Sequence, residues 1–252
     1  MSEVIVSCHQ PNFMPYLGFF DKMKKSDIFV IRDEVLFTDS DYHHRNRIRI
    51  NGHDNYNDPQ FKWITIPVNK INDHIMHVSI KKDAKIKNKP WKQSILHDIE
   101  SNYRNTPLFS RLFPSIKQIF EEDDDESLIS INMKIIHLIK ELFGINTKIM
   151  FASELGLKSE HYEKTDASVD LANICKQLNA DVYLSGSGGR NYLNLDKFDE
   201  YGIEVRFHDF SHPLYRQNYP GFLPNMSAID YLFCTGNLAI ENKMILTHGT
   251  YN

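Results

Sequence analysis

Compact β-branched runs and stretches of helical period alternate along the chain. Residues 3–8 (EVIVSC) read as a strand, 9–15 as a loop, 17–25 as a helix and 27–32 (DIFVIR) as a second strand. Short apolar runs bounded by turn signals are strand-like, whereas apolar positions three and four apart share one face of a helix. The first thirty residues therefore read as a βαβ unit, which favours a parallel sheet. A polar, aromatic segment at 33–60 follows, and residues 62–68 (KWITIPV) and 76–80 (MHVSI) are expected to pair as a hairpin. Helices are expected at 90–101, 108–120 and 127–143, the first opened by Pro90 and Trp91 and the last closed by Gly144. The acidic run between the last two, EEDDDE at 121–126, reads as a solvated connection. Strands at 147–151, 180–185 and 203–207 with a helix at 168–178 complete an α/β alternation with right-handed crossovers. The expectation is a single α/β domain over residues 1–252, with 90–143 as a helical insertion or cap.

Composition narrows the function classes. The 252 residues carry 29 basic and 33 acidic side chains, a formal charge of -4. That balance argues against general nucleic-acid binding, which draws its affinity from phosphate neutralisation. Cys8, Cys175 and Cys234 lie far apart with no C-x-x-C spacing, so neither a disulfide framework nor a cysteine metal site is expected. No apolar run reaches the length of a membrane span. The opening MSEVIVSCHQ lacks the basic start of a secretory signal. A reducing, cytoplasmic setting is the expectation.

Ligands of open α/β sheets bind beyond the carboxyl ends of the strands, which singles out three segments. After the first strand, His9, Gln10 and Asn12 present polar groups in a loop fixed by Pro11 and Pro15. After the second, Asp33 is followed by Arg45, Arg47 and Arg49, alternate positions that share one face of an extended segment. Guanidinium forks suit diphosphate oxygens, and an exposed basic strand is the competing reading. His43 and His44 are adjacent and point opposite ways on a strand, so no metal is expected there. The third segment, Ser185-Gly186-Ser187-Gly188-Gly189-Arg190, combines a close-approach backbone with a positive charge. It matches neither the Walker A nor the dinucleotide pattern.

Four blocks together resemble the WbqC-like family. They are His9-Gln10-Pro11-Asn12-Phe13-Met14-Pro15 with Gly18 to Lys22, then Arg45-Asn46-Arg47, then Leu184 to Leu193, then Phe222-Leu223-Pro224-Asn225-Met226-Ser227 with Asp230. The resemblance implies a role in bacterial O-antigen and related surface-polysaccharide biosynthesis, with transfer of glycine or another acyl unit onto an amino sugar. The loop around Pro11-Tyr16-Gly18-Phe19 also resembles the P-x-x-x-x-H-I-G-H signature of class I aminoacyl-tRNA synthetases and related nucleotidylyltransferases. Tyr16 and Phe19 stand at the two histidine positions, so this likeness implies a Rossmann-like, HIGH-type nucleotide-binding sheet more than adenylyl transfer.

The resulting expectation is an N-acyltransferase acting on a nucleotide-linked amino sugar. His9 is the candidate base, since imidazole titrates near neutrality. Gln10, Asn12 or the backbone of Gly186 to Gly189 would face the oxyanion. Asp33 would orient His9 or bind sugar hydroxyls, and Arg45, Arg47 and Arg190 would hold diphosphate. Tyr16, Asn46, Ser185, Ser187, Tyr192, His212 and Asn225 complete the substrate-binding set. Cys8 is the alternative, covalent nucleophile. The acyl donor would be a coenzyme A or acyl carrier protein thioester, or an aminoacylated donor, with no tightly bound cofactor and no metal. An acyl carrier protein or a second copy of the chain are the partners such chemistry admits. A nucleotidylyltransferase and a non-catalytic nucleotide-sugar binding protein are the alternatives.

Overall fold

The computed structural model describes residues 3–51, 60–69, 73–122, 124–156 and 167–240. Part of the 33–60 segment therefore lies outside the described residues. Contacts divide the chain into two compact units. The first gathers Met1–Pro11, Gly18–Leu36 and Ile145–Phe210, and the second Asn12–Leu17, Phe37–Gly144 and Ser211–Asn252.

The first unit is built on a five-stranded, all-parallel sheet of β1 (Ile5–His9), β2 (Ile28–Ile31), β7 (Lys148–Phe151), β8 (Val182–Gly186) and β9 (Glu204–His208), ordered β7-β2-β1-β8-β9. Alternation along β1 decides what each side chain meets. Val6 and Cys8 join Val30, Tyr183, Leu171, Ile174 and Phe198 in one apolar cluster. That cluster is roofed by α5 (Ala167–Gln177) and the short α6 (Asp196–Asp199). Ser7 and His9 point the other way. Ser7 Oγ accepts a hydrogen bond from Ser26 Oγ at 2.7 Å. His9 and Phe29 meet Phe19 of α1 (Leu17–Lys24). Seven of that helix's eight residues, Leu17 to Met23, are buried, including Asp21 and Lys22. Such a helix is apolar on all sides except where a charge has a specific partner. Asp21 receives both His208 Nε2 and Lys25 Nζ at 2.6 Å.

The β1–β2 ladder is registered from Val6↔Ile28 to His9↔Ile31, whereas β1 meets β8 only at Ile5↔Val182 and Val6↔Tyr183. The sheet is Rossmann-like, as the strand pattern predicts.

The second unit holds an antiparallel pair, β3 (Arg45–Arg49) and β4 (Phe61–Thr65). It also contains a two-residue ladder, β5 (Lys85–Ile86) with β6 (Lys89–Pro90). Its helices are α2 (Trp91–Tyr103), α3 (Phe109–Glu122), α4 (Leu128–Leu142) and α7 (Ala228–Thr235). The expected hairpin between 62–68 and 76–80 is replaced by the β3–β4 pair. Ile75–His77 is a single 3-10 turn, and the second segment pairs with the end of the first at the bridge Val68↔Ile80, flanked by the backbone bonds Lys81 N–H to Pro67 O at 2.8 Å and Asn69 N–H to Ser79 O at 2.9 Å. The pairing goes to β3 because Asn46 and Ile48 are buried on one face while Arg45 and Arg47 lie over Trp63 and Phe61 on the other. Among the described residues no helix is long and apolar enough to cross a membrane.

Candidate functional site

In the first unit, connections leave β1 and β8 toward opposite edges of the sheet. That makes the crevice beyond their carboxyl ends the topological switch point of the fold. A cleft of about 370 Å³ lies there, lined by Cys8, His9, Gln10, Lys22, Arg32, Tyr183, Ser185, Gly186, Gly188, Gly189 and Tyr192, among others of the same unit.

His9 stands at the end of β1. Its ring meets Phe19 edge-on with centroids 4.8 Å apart and is stacked on Phe29 at 6.5 Å. Nδ1 lies 3.0 Å from the carbonyl oxygen of Gln10. A carbonyl only accepts, so the neutral ring carries its proton on Nδ1 and its lone pair on Nε2. That tautomer suits a proton acceptor.

Lys22, part of the first family-like block but given no role from the sequence, also lines the cleft. It is 5% exposed, its ammonium donates to the Cys8 carbonyl at 2.9 Å, and it sits over the Phe29 ring at 5.8 Å. Burial pulls its pKa down to about 8. Its signals in the sequence are its place in that block and the charged pair Asp21-Lys22 directly after the apolar Leu17 to Phe20. The Cys8 thiol is pushed up to about 12 by burial, so it is protonated at neutral pH. Arg32 also lines the cleft, but its guanidinium is ion-paired with Glu34 and approaches Asp170 at 3.8 Å. Burial raises the Glu34 pKa against that pairing.

The glycine segment has two parts that differ in cause. A Cβ on Gly189 would lie 2.1 Å from Ser185 Oγ and 2.9 Å from Leu193 Cδ1, so packing inside the protein demands glycine there. A Cβ on Gly186 or Gly188 would meet nothing within 4 Å. Ser185 is buried, and its hydroxyl donates to the Gly186 carbonyl at 3.1 Å.

The cleft thus gathers His9, Gln10, Ser185, Gly186, Gly188, Gly189 and Tyr192 of the residues singled out from sequence. Three others of the same unit do not line it. Asp33 accepts from the Ser153 hydroxyl at 2.6 Å and its backbone N–H at 3.1 Å, in place of the expected His9. Arg190 forms a two-pronged pair with Asp209 at 2.9 and 3.0 Å and lies over Phe207. Ser187 belongs to the 3-10 turn Ser187–Asn191.

The remainder lie in the second unit. Asn12 is buried there, and Tyr16 bridges Ser227. Asn46 donates to the carbonyls of Phe13 and Met14 at 3.0 and 2.7 Å. That bond pair holds Met14 in a left-handed conformation, φ +44°. Arg45 donates to the Ser40 carbonyl at 2.6 Å and covers Trp63, and Arg47 donates to the Asn225 carbonyl at 3.0 Å. Arg49 is buried and donates to the Pro220 carbonyl at 2.7 Å. Arg45, Arg47 and Arg49 each donate to backbone carbonyls, and Arg45 and Arg47 also lie over aromatic faces. His212 packs on Tyr215 and Phe222 with Nδ1 2.9 Å from the Pro213 carbonyl, and burial lowers its pKa. Asp73, His74 and His77 bring ligand-type atoms within 4.8 Å of one another, a grouping the sequence reading passed over for His43 and His44. Asp73 already accepts from His77 and from the His74 backbone.

An open, all-parallel sheet with a polar cleft at its switch point defines a Rossmann-like α/β fold. The chain belongs to the WbqC-like protein family, which matches residues 10–242. It is 30% identical over 233 residues to Rv1507c of Mycobacterium tuberculosis, an uncharacterized protein, covering 92% of this chain and 94% of the relative. No solved structure matches the chain.

Proposed function

We propose that the protein is an N-acyltransferase acting on a nucleotide-linked amino sugar of bacterial surface-polysaccharide biosynthesis. The observation that carries this reading is the His9 ring, held by the Gln10 carbonyl in the tautomer with its lone pair on Nε2, in the switch-point cleft. Membership of the WbqC-like family supports the biological setting by resemblance. In the reaction the neutral sugar amine attacks a thioester carbonyl, from coenzyme A or an acyl carrier protein. The C–N bond forms, His9 takes the amine proton, the C–S bond breaks, and the proton passes to the departing sulfur. The side-chain amide of Gln10 is the donor available to the oxyanion. A protonated Cys8 thiol favours direct transfer over an acyl-cysteine.

The test is incubation with a panel of amino-sugar nucleotides and acyl donors followed by mass spectrometry. An acyl mass increase on the sugar is the expected product, and a nucleotidyl product or binding without turnover rejects the reading. His9→Ala is expected to lower kcat roughly 10²- to 10⁴-fold, while Cys8→Ser retains turnover.

A further inference from the structure

We propose that Lys22, with the side-chain-free backbone at Gly186 and Gly188, forms a subsite for the phosphate oxygens of a diphosphate ligand. The inference rests on reading the switch-point cleft as the binding site, and it moves the diphosphate from the arginines to a lysine.

Three observations converge on it. An ammonium has three N–H donors, and the Cys8 carbonyl takes one. Among the described lining residues there is no carboxylate, and Lys22 forms no ion pair among the described residues. Arg32, the other cation of the cleft, is already matched by Glu34 and Asp170. Lys22 is thus a nearly buried charge without a counter-charge, which is costly unless a ligand supplies one.

The glycines give the second line. Gly189 is explained by Ser185 and Leu193, but neither neighbouring side chains nor a left-handed backbone explains Gly186 and Gly188. Open space above two cleft-lining glycines is what a phosphate group approaching the main chain requires.

Proton linkage gives the third. Burial holds the ammonium pKa near 8, and a bound anion favours the charged form and raises it. Anion affinity therefore falls as pH rises above 8, because more of the free protein must take up a proton to bind.

The experiment is calorimetric titration of the full chain with uridine diphosphate, inorganic pyrophosphate and malonate. Wild type, Lys22→Gln, Lys22→Met and Gly188→Ala are compared, with uridine diphosphate also followed from pH 7 to 9.5. Gln keeps a donor for the Cys8 carbonyl, and Met keeps the side-chain volume. Both phosphate probes are expected to bind wild type, and each Lys22 variant to bind them about tenfold or more weakly, as the loss of a charge-assisted contact implies. Wild-type affinity is expected to decline across the pH series with a flat response in the Lys22 variants. Gly188→Ala is expected to weaken binding at an unchanged melting temperature. The wild-type pH series and Gly188→Ala test the subsite even where a Lys22 variant fails to fold. No phosphate binding by wild type, unchanged binding by folded Lys22 variants, a flat wild-type pH response, or equal Lys22-dependent binding of malonate would each overturn the proposal. Lys22-dependent binding without acyl transfer rejects the acyltransferase reading alone, and acyl transfer with Lys22-independent binding rejects this subsite alone.

Discussion

A single side chain, Lys22, ties stability to pH in a direction opposite to most lysines. Its ammonium is held near pKa 8 in the native state against an ordinary 10.5. Below pH 8 both native and unfolded chains carry the proton, and the native state bears the whole cost of burying it, on the order of 3 kcal/mol. Between pH 8 and 10.5 the unfolded chain holds more protons than the native one, so stability rises with pH. Chemical denaturation of wild type and Lys22→Met is expected to show their stability difference moving in favour of wild type by that amount across the window, and a constant difference would contradict it. The glycines divide at the same scale. Gly189→Ala is expected to cost roughly 1–3 kcal/mol by overpacking against Ser185 and Leu193, and Gly186→Ala no more than about 0.5 kcal/mol. Thermal melting of the two variants checks the contrast. The burial of Lys22 was not legible in the sequence, although the residue stands in a family-like block, because a lysine on a short helix ordinarily reaches water. Only its tertiary placement turns it inward. His9 was legible, since any polar residue at the end of the first strand of an open sheet faces the crevice.

At the scale of elements, the β3–β4 pair shows what pattern reading catches and what it misses. The alternation of Arg45, Arg47 and Arg49 is a strand signal, and the chain does extend there. Residue type suggested a ligand for the guanidinium groups, and the structure adds two aromatic faces and several backbone carbonyls as their neighbours within the protein. A hydrophobic pattern specifies which face is covered and is silent on what covers it. The entry to β3 carries a further titration. Burial lowers the His43 pKa to about 4, and Nδ1 accepts from the Thr38 backbone N–H at 3.3 Å. Its carbonyl receives the Asn132 side chain of α4 at 2.7 Å. Stability from neutral His43 is fully present above pH 6.5 and is lost as pH falls toward 4, on the order of 3 kcal/mol. His43→Asn, which keeps an acceptor near the Nδ1 position, is expected to flatten that acid limb in denaturant titrations. An unchanged limb would assign the acid sensitivity elsewhere.

Across the whole molecule, the parallel sheet and nearly every helix were legible because apolar runs and helical periods are local signals. The division into two interleaved sets of segments was not, since it depends on contacts remote in sequence. One consequence can be measured. Strands β1 and β2 stand between β7 and β8, and both come from the first 36 residues. A chain starting at residue 37 loses the middle of its sheet and leaves β7 without its β2 partner and β8 without its β1 partner. It is expected to be aggregated or to lack cooperative unfolding by circular dichroism, whereas a folded truncated chain would refute the assignment.

The short β1–β8 ladder has one more consequence. Carbonyls along β1 alternate between its two neighbours: Val4 is bonded from Val182, and His9 from Arg32. The Cys8 carbonyl therefore faces β8 above the last registered pair, where no strand amide answers it, and Lys22 supplies the missing donor. The sheet is a zipper left open over its final teeth, with an ammonium in place of the next one. The crevice and its charge thus have a common origin in strand register. A substitution that closes the two strands further along is expected to remove them together.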